Sequence, residues 1–183
     1  MSTTEIQIDD RNQTALEHAA GDVLLYNLLQ SALSVRSTHN LTLIADAYHF
    51  SERSFREIKR RSGKPLLDHA VSVARILVNT NLGSTTIAAG LMHEAVENGK
   101  ALPALRQEFG NEVADLCEGV DKLKDLTFQA PQRELAEQYR KTLIALAEDI
   151  RVVLVKFADR LHNMRFVDEL DEHLWLAEIH IDL

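Results

Sequence analysis

The chain has 183 residues, 45% of them hydrophobic, with only 7 glycines and 3 prolines, so it suits one domain with a substantial core and favours helices. Its 20 basic and 28 acidic residues give a net charge of −8, which argues against a nucleic-acid partner. The single cysteine, Cys117, excludes an internal disulfide, and with neither a membrane-spanning run nor a signal-peptide pattern we expect a soluble, cytoplasmic protein with no membrane partner.

The first third of the chain is predicted to form two amphipathic helices. Apolar residues recur at helical spacing from Thr14 to Leu33, which predicts the first. Asn40 suits the N-cap of the second, which runs through Tyr48 and toward Ile58. The later part of this segment is crowded with basic residues, and it ends in a predicted turn at residues 62–65.

Two further predicted helices carry histidines. Asp68 is predicted to cap a helix that has His69 on or beside its buried face. After a turn, Ser84 is predicted to cap a helix that continues to Asn98. Four polar residues share one side of this helix: His93, Glu94, Glu97 and Asn98.

The second half of the chain is also predicted to be helical. Gly110 is predicted to stop a short helix, and Asn111 to cap the next one, which ends near Leu123. A loop at residues 124–132, a helix at 133–147 and a helix at 151–165 follow, while the apolar tail at 170–183 could cap the core or meet a second subunit. With no strand ladder and no repeat, the sequence predicts an all-α, single-domain helical bundle.

The helix at residues 151–165 contains a carboxylate where the pattern predicts burial. Its first half is almost entirely apolar and β-branched, yet Asp159 lies on the same face as Val152 and Val155. An ionised group in an apolar interior either takes up a proton or finds a cation, which can be Arg, Lys or a metal. The plainer interpretation of Asp159 is a salt bridge to a neighbouring Arg. Asn163 lies one turn further on and points the same way.

Candidate metal ligands therefore lie on three predicted helices. They are His69, the His93-Glu94 pair and Asp159. Imidazole nitrogens with carboxylate oxygens suit manganese, iron or zinc better than calcium. Each residue alone has a plainer interpretation, because a single His on an apolar face is usually a hydrogen-bonded core residue and an acidic helix side is usually solvated. Their combination favours a metal site.

Four stretches place these residues in a recognisable order. They are residues 60–69, 88–98, 108–123 and 139–165, the last containing Ala158-Asp159-Arg160-Leu161-His162-Asn163-Met164-Arg165. Ordered His, His-acid and Asp ligands on helices resemble the HD superfamily of metal-dependent phosphohydrolases. Over residues 45–165 the chain is similar to the hydrolase domain of the RelA/SpoT family, whose stand-alone members are small alarmone hydrolases of the stringent response. We therefore assign residues 1–36 to an N-terminal helical extension and residues 37–183 to an HD hydrolase domain.

The resemblance implies a function and a role for each matching residue. The implied reaction is that of a guanosine-3′,5′-bis(diphosphate) 3′-pyrophosphohydrolase, which converts ppGpp or pppGpp to GDP or GTP and pyrophosphate. The implied ligands of a manganese ion, or of another first-row divalent metal, are His69, His93, Glu94 and Asp159. Glu97 and Asn98 occupy the family's acidic pair, where Glu97 would orient or deprotonate the attacking water. The implied nucleotide-binding residues are Arg60, Arg61, Ser62, Asn163 and Met164.

The chain departs from the family pattern inside the implied site. The family has His-Asp where this chain has His93-Glu94, and Glu-Asp where it has Glu97-Asn98. The sequence leaves three hypotheses: an active alarmone hydrolase, which we favour; a catalytically impaired pseudo-hydrolase that acts as a nucleotide-binding or antitoxin-like regulatory module; and a hydrolase of another nucleotide. A homo-oligomer or a partner protein stays open, as does a natural stand-alone protein against a fragment.

Overall fold

The chain folds into packed helices, as described by a computed structural model for residues 9–60, 62–99, 101–123, 140, 143–144 and 148–165, with the backbone alone for 97–99. The α-helices are α1 (Asp10–Ala19), α2 (Val23–Val35), α3 (Leu41–Ser54), α4 (Leu66–Asn79), α5 (Ser84–Met92), α6 (Leu102–Lys122) and α7 (Ile150–Arg165). A 3₁₀ helix spans His93–Gly99. No strand forms within these residues, although one isolated antiparallel bridge joins Lys59 and Pro65. The predicted all-α class is confirmed.

The N-terminal segment forms two helices, so the prediction of one helix from Thr14 to Leu33 is wrong. The break lies at Asp22, whose Oδ1 accepts hydrogen bonds from the backbone N–H groups of Leu24 and Leu25, each at 3.0 Å. This N-cap starts α2 afresh. The side chains of α2 then reach deep into the core, where Leu25, Leu28 and Leu29 are fully buried.

The side chain of Asn12 connects α1 to the start of α3. Its Nδ2 donates to the carbonyl of His39 at 2.8 Å, and its Oδ1 accepts from the N–H of Leu41 at 2.9 Å. Asn12 is only 3% exposed, so both bonds are shielded from water. The first helix is thereby fixed to the bundle by polar contacts as well as apolar ones. The predicted domain boundary between residues 36 and 37 stays a prediction.

Three predicted helix ends in this region need correction. Asn40 caps α3 as predicted, but α3 ends at Ser54 instead of continuing toward Ile58, since Glu57 has a positive φ of 66°. Helix α4 begins at Leu66, directly after Pro65, so Asp68 lies in its first turn and is not its cap. Ser84 is the first residue of α5 and therefore not its N-cap as predicted. Its hydroxyl instead accepts a hydrogen bond from the N–H of Asn40 at 2.8 Å.

The helix predicted from Ser84 to Asn98 changes type at His93. Residues His93–Gly99 form a 3₁₀ helix, so the prediction of a continuous α-helix is wrong. The His93 Nδ1 donates to the carbonyl of Gly90 at 2.8 Å, the acceptor that a continued α-helix would use for the N–H of Glu94. The tighter winding re-aims the side chains that follow Met92.

The second half of the bundle carries α6 and α7. Gly110, with φ 80° and ψ 176°, breaks α6 as predicted, because this backbone conformation favours glycine. Helix α7 packs against α4, α5 and α6 and buries Val152, Val155 and Asp159, as its apolar pattern predicts. The predicted loop at 124–132, most of the predicted helix at 133–147 and the tail at 170–183 lie outside the described residues. None of the helices described is both long and apolar enough to cross a membrane.

Candidate metal centre

The four predicted metal ligands meet where α4, α7 and the 3₁₀ helix converge. One nitrogen or oxygen from each of His69, His93, Glu94 and Asp159 lies within 4.8 Å of the others. The Asp159 Oδ1 is 3.3 Å from His69 Nε2 and 4.0 Å from His93 Nε2. The Glu94 Oε1 is 3.5 Å from His93 Nε2 and 3.8 Å from His69 Nε2. Two nitrogens and two oxygens from three segments of the chain thus converge around a common point.

The two imidazoles present buried nitrogens to that point. The Nε2 atoms of His69 and His93 are buried and make no hydrogen bond of acceptable geometry, and buried polar atoms are rarely left so. The His93 ring donates its other N–H to the Gly90 carbonyl, which directs the Nε2 lone pair toward the carboxylates. Metal-ligating histidines in proteins are oriented in the same way. These orphaned nitrogens fit a metal ion.

Asp159 is held in its ionised form by the groups around it. Burial opposes ionisation of its carboxyl, but His69, His93 and Lys156 outweigh this effect and hold the pKa well below its usual range. Lys156 Nζ donates to Oδ2 at 2.8 Å, and Asn163 Nδ2 donates to Oδ1 at 3.2 Å. Of the cations that the sequence left open, the one that contacts this carboxylate is a lysine one turn earlier, so the plainer interpretation of a salt bridge is wrong only in naming an Arg as the partner.

Glu94 supplies the second negative charge of the cluster. Its side chain is 42% exposed, and the partial burial of the carboxyl opposes ionisation, but the His93 imidazole outweighs that effect and lowers the pKa of Glu94 to about 2. The same pairing raises the pKa of His93 against the opposing effect of its burial. With neutral imidazoles the four ligand groups carry two negative charges, which matches the charge of a first-row divalent cation.

Arg60 lies against the outer edge of this cluster. Its Nη1 is 3.0 Å from His69 Nδ1, and its Nη2 donates to Asn163 Oδ1 at 2.9 Å. Arg60 is held in this position by two pairings: its N–H donates to the Lys64 carbonyl at 2.9 Å, and Lys59 forms an antiparallel bridge with Pro65. A predicted nucleotide-binding arginine thus contacts a predicted metal ligand.

Two residues that the sequence interpretation did not single out belong to the same surroundings. Lys156 contacts Asp159, and the ring of His162 lies 4.8 Å from that of His69 in an edge-on arrangement. Burial, followed by the charges of His69 and Arg60, lowers the pKa of His162 to about 4. Both residues are three positions from Asp159 on α7, a spacing that places them near its face and could have identified them.

Of the remaining predicted site residues, two have side chains that the structure describes. Ser62 and Met164 are exposed, Met164 to 68%. Arg61 and the side chains of Glu97 and Asn98 lie outside the described residues. The role of each predicted site residue therefore stays a prediction.

Comparisons with known proteins show what the chain is similar to. Residues 47–178 match the family described as HD domain. A Brucella melitensis protein named GTP pyrophosphokinase rsh is 38% identical over 161 residues, covering 86% of this chain and 22% of the relative. A Myxococcus xanthus GTP pyrophosphokinase is 42% identical over 137 residues, which cover 73% of this chain and 18% of the relative. A Synechocystis protein named probable guanosine-3′,5′-bis(diphosphate) 3′-pyrophosphohydrolase is 40% identical over 129 residues, which cover 70% of this chain and 17% of the relative. The chain spans only about a fifth of the length of these relatives.

Proposed function

Because this chain belongs to the HD-domain family, in the RelA/SpoT branch that its motifs predict, we propose that it is a metal-dependent phosphohydrolase of alarmone nucleotides. The substrate would be ppGpp or pppGpp, and the products GDP or GTP and pyrophosphate. The observation that carries the proposal is the cluster of His69, His93, Glu94 and Asp159, with two buried imidazole nitrogens directed at two ionised carboxylates. One relative is named as a probable hydrolase of this nucleotide.

The four clustered residues would hold the metal, for which we propose manganese. When bound, a divalent ion lowers the pKa of water and polarises a phosphoryl oxygen, so that a nucleophile is available near neutral pH. The chain prepares the ligands for this ion in advance. Lys156 and Asn163 fix the two oxygens of Asp159, and the Gly90 carbonyl fixes the ring of His93.

Substrate recognition would fall to Arg60 and Asn163 beside the cluster, together with the other nucleotide-binding residues that the resemblance implies. A guanidinium offers planar, paired donors to phosphate, so Arg60 and Arg61 can attract an anionic nucleotide to a protein of net charge −8. Ser62 would contact the same phosphates or the base, and Asn163 with Met164 the ribose side. Glu97 would orient the attacking water or take its proton.

The competing candidate is a pseudo-hydrolase that binds nucleotide without turnover. It is favoured by one observation, Asn98, because an amide can neither accept a proton nor supply negative charge where the family has a carboxylate. The other departure is less severe. Glu94 Oε1 reaches the shared point of the cluster despite its extra methylene, lying 3.5 Å from one imidazole nitrogen and 3.8 Å from the other.

A turnover assay tests the proposal. Purified protein is incubated with ppGpp and manganese, and the release of GDP and pyrophosphate is measured. Parallel reactions contain EDTA, or the corresponding adenosine nucleotide in place of ppGpp. The hydrolase would be supported if EDTA stops this release, if Asp159→Ala abolishes it, and if Asp115→Ala, a substitution at an exposed position, leaves it unchanged. Absence of release from folded protein that still binds ppGpp would favour the pseudo-hydrolase.

Asn98→Asp separates impairment from tolerance. If the amide limits an otherwise intact site, this change should raise turnover, since it restores a carboxylate. An unchanged rate would show that the position does not matter to the reaction.

A further inference from the structure

The contact between Arg60 and His69 has a defined direction. Arg60 Nη1 lies 3.0 Å from His69 Nδ1, and a guanidinium can only donate hydrogen bonds. The Nδ1 atom must therefore be the acceptor, and a neutral imidazole then carries its single proton on Nε2. Nε2 is the nitrogen that faces Asp159 and Glu94. A neutral ring cannot accept from Arg60 at Nδ1 and also give the lone pair of Nε2 to a metal.

His93 shows the opposite arrangement within the same cluster. Its Nδ1 faces an acceptor, the Gly90 carbonyl at 2.8 Å, so its proton is on the outer nitrogen and its Nε2 lone pair faces the cluster. Metal ligands of this type almost always donate outward to a carbonyl, carboxylate or water. His69 alone of the two has a donor on its outer side.

Arg60 also reaches a second ligand, Asp159, through one intermediate residue. Its Nη2 donates to Asn163 Oδ1 at 2.9 Å, and Asn163 Nδ2 donates to Asp159 Oδ1 at 3.2 Å. The positive charge of Arg60 therefore lies in contact with His69 and one hydrogen-bonded group away from Asp159, where it repels any other cation. The proton position on His69 and this repulsion act in the same direction, since both weaken metal binding.

We propose that Arg60 competes with the divalent ion for His69, so that metal binding displaces Arg60 from the ring. The inference rests on the proposed function, because it takes the four clustered residues as the metal site. A displaced guanidinium keeps its charge beside the cluster, and the anionic phosphates of the nucleotide are its natural acceptors there. One side chain thus couples metal binding to substrate binding.

Calorimetric titration with manganese alone, without nucleotide, tests the competition. Arg60→Gln is expected to bind the ion about tenfold more tightly than the unmodified chain, a change equal in size but opposite in sign to the losses that follow when a group supporting a metal ligand is removed. Arg53→Gln is the matched control: it removes the same charge, but from an exposed arginine paired with Glu108 at 3.4 Å, and its affinity should be unchanged.

The outcomes distinguish this inference from the proposed function. Equal or weaker affinity in Arg60→Gln, with measurable binding in the unmodified chain, overturns the competition and leaves the metal site standing. Absence of manganese binding in both proteins overturns the metal site, and the competition with it. Binding in Arg60→Gln alone supports the inference in its strongest form.

Nitrogen NMR of the histidine rings supplies a test that needs no variant. In EDTA, His69 of the unmodified protein should carry its proton on Nε2, and addition of diamagnetic Zn²⁺ should move that proton to Nδ1. His93 serves as the internal reference, because its Nδ1 should be protonated in both samples. A His69 proton already on Nδ1 in EDTA would overturn the inference whatever the titrations give.

Discussion

Replacing Asp159 by asparagine is expected to remove both metal binding and a large part of the stability of the bundle. The substitution keeps the shape of the side chain but removes the charge that Lys156 and the two histidines surround. Asp159 is 3% exposed and the side chain of Lys156 only 13%, so water replaces little of what is lost. The ammonium group of Lys156, 2.8 Å from the lost charge, is left without an anion.

The structure sets the size of this effect. Removing one partner of a buried ion pair costs about 3–5 kcal/mol, and the asparagine oxygen still accepts a hydrogen bond, so we take the lower end, about 3 kcal/mol. For a chain of this length that corresponds to a fall in Tm of about 6–12 °C. Manganese at about a hundred times its Kd would stabilise the unmodified protein by a further ~2.7 kcal/mol, and the variant by nothing.

Differential scanning calorimetry in EDTA and in manganese measures both parts separately. Asp115→Asn is the control, because its carboxylate pairs with Arg106 at 2.6 Å but is 60% exposed, and such surface pairs contribute at most about 1 kcal/mol. A variant Tm in EDTA equal to that of the unmodified protein would refute the buried-pair reasoning. A full manganese response in Asp159→Asn would refute its assignment as a ligand.

Three further predictions concern other parts of the bundle. Gly119→Ala should lower the free energy of unfolding in urea by about 1–2 kcal/mol, since its Cβ would lie 2.7 Å from Cγ2 of the buried Val152, whereas Gly21→Ala, with nothing within 4 Å, should be neutral. Burial and the charge of Arg36 lower the pKa of His39, so the unfolded chain takes up a proton there first as the pH falls below the ordinary value of 6.5. Stability is then lost on acidification, and urea midpoints at neutral and mildly acidic pH should differ less in His39→Gln, with an equal difference contradicting the reasoning. Burial raises the pKa of Cys117 to about 12, so a thiol reagent at pH 8 should label it only after unfolding.

The helical pattern of the sequence is enough to predict the general form of the fold and which residues could bind a metal, whereas their convergence into one site was implied by the family resemblance. Asp159 can be placed on the buried face of α7 because apolar residues repeat along that face through several turns. Lys156 could be predicted in the same way, since three residues separate it from Asp159 on one helix. Both placements concern residues of one helix, so the helical period alone is enough to predict them.

Contacts between distant segments are less accessible to that reasoning. Over seven residues the apolar pattern of a 3₁₀ helix differs little from that of an α-helix, so the change of winding at His93 depends on a ring-to-carbonyl bond that no periodicity reveals. The contact of Arg60 with His69 likewise depends on how residues 59–65 fold back. The sequence predicts both residues near a site, but not that one hydrogen-bonds the other.

The double hydrogen bond of Asn12 limits how this site can be inherited or transplanted. Its amide satisfies the His39 carbonyl and the Leu41 N–H in the interior, and Leu41 begins the helix that packs against the helix preceding His93. An exchange of the first helix between related genes would have to supply an amide at this position, or leave two buried backbone groups unbonded at a cost of about 1–3 kcal/mol each. Recombination can therefore move the metal-bearing helices to a new context without this cost only if the first helix that accompanies them carries such an amide, although that helix contributes no ligand to the cluster.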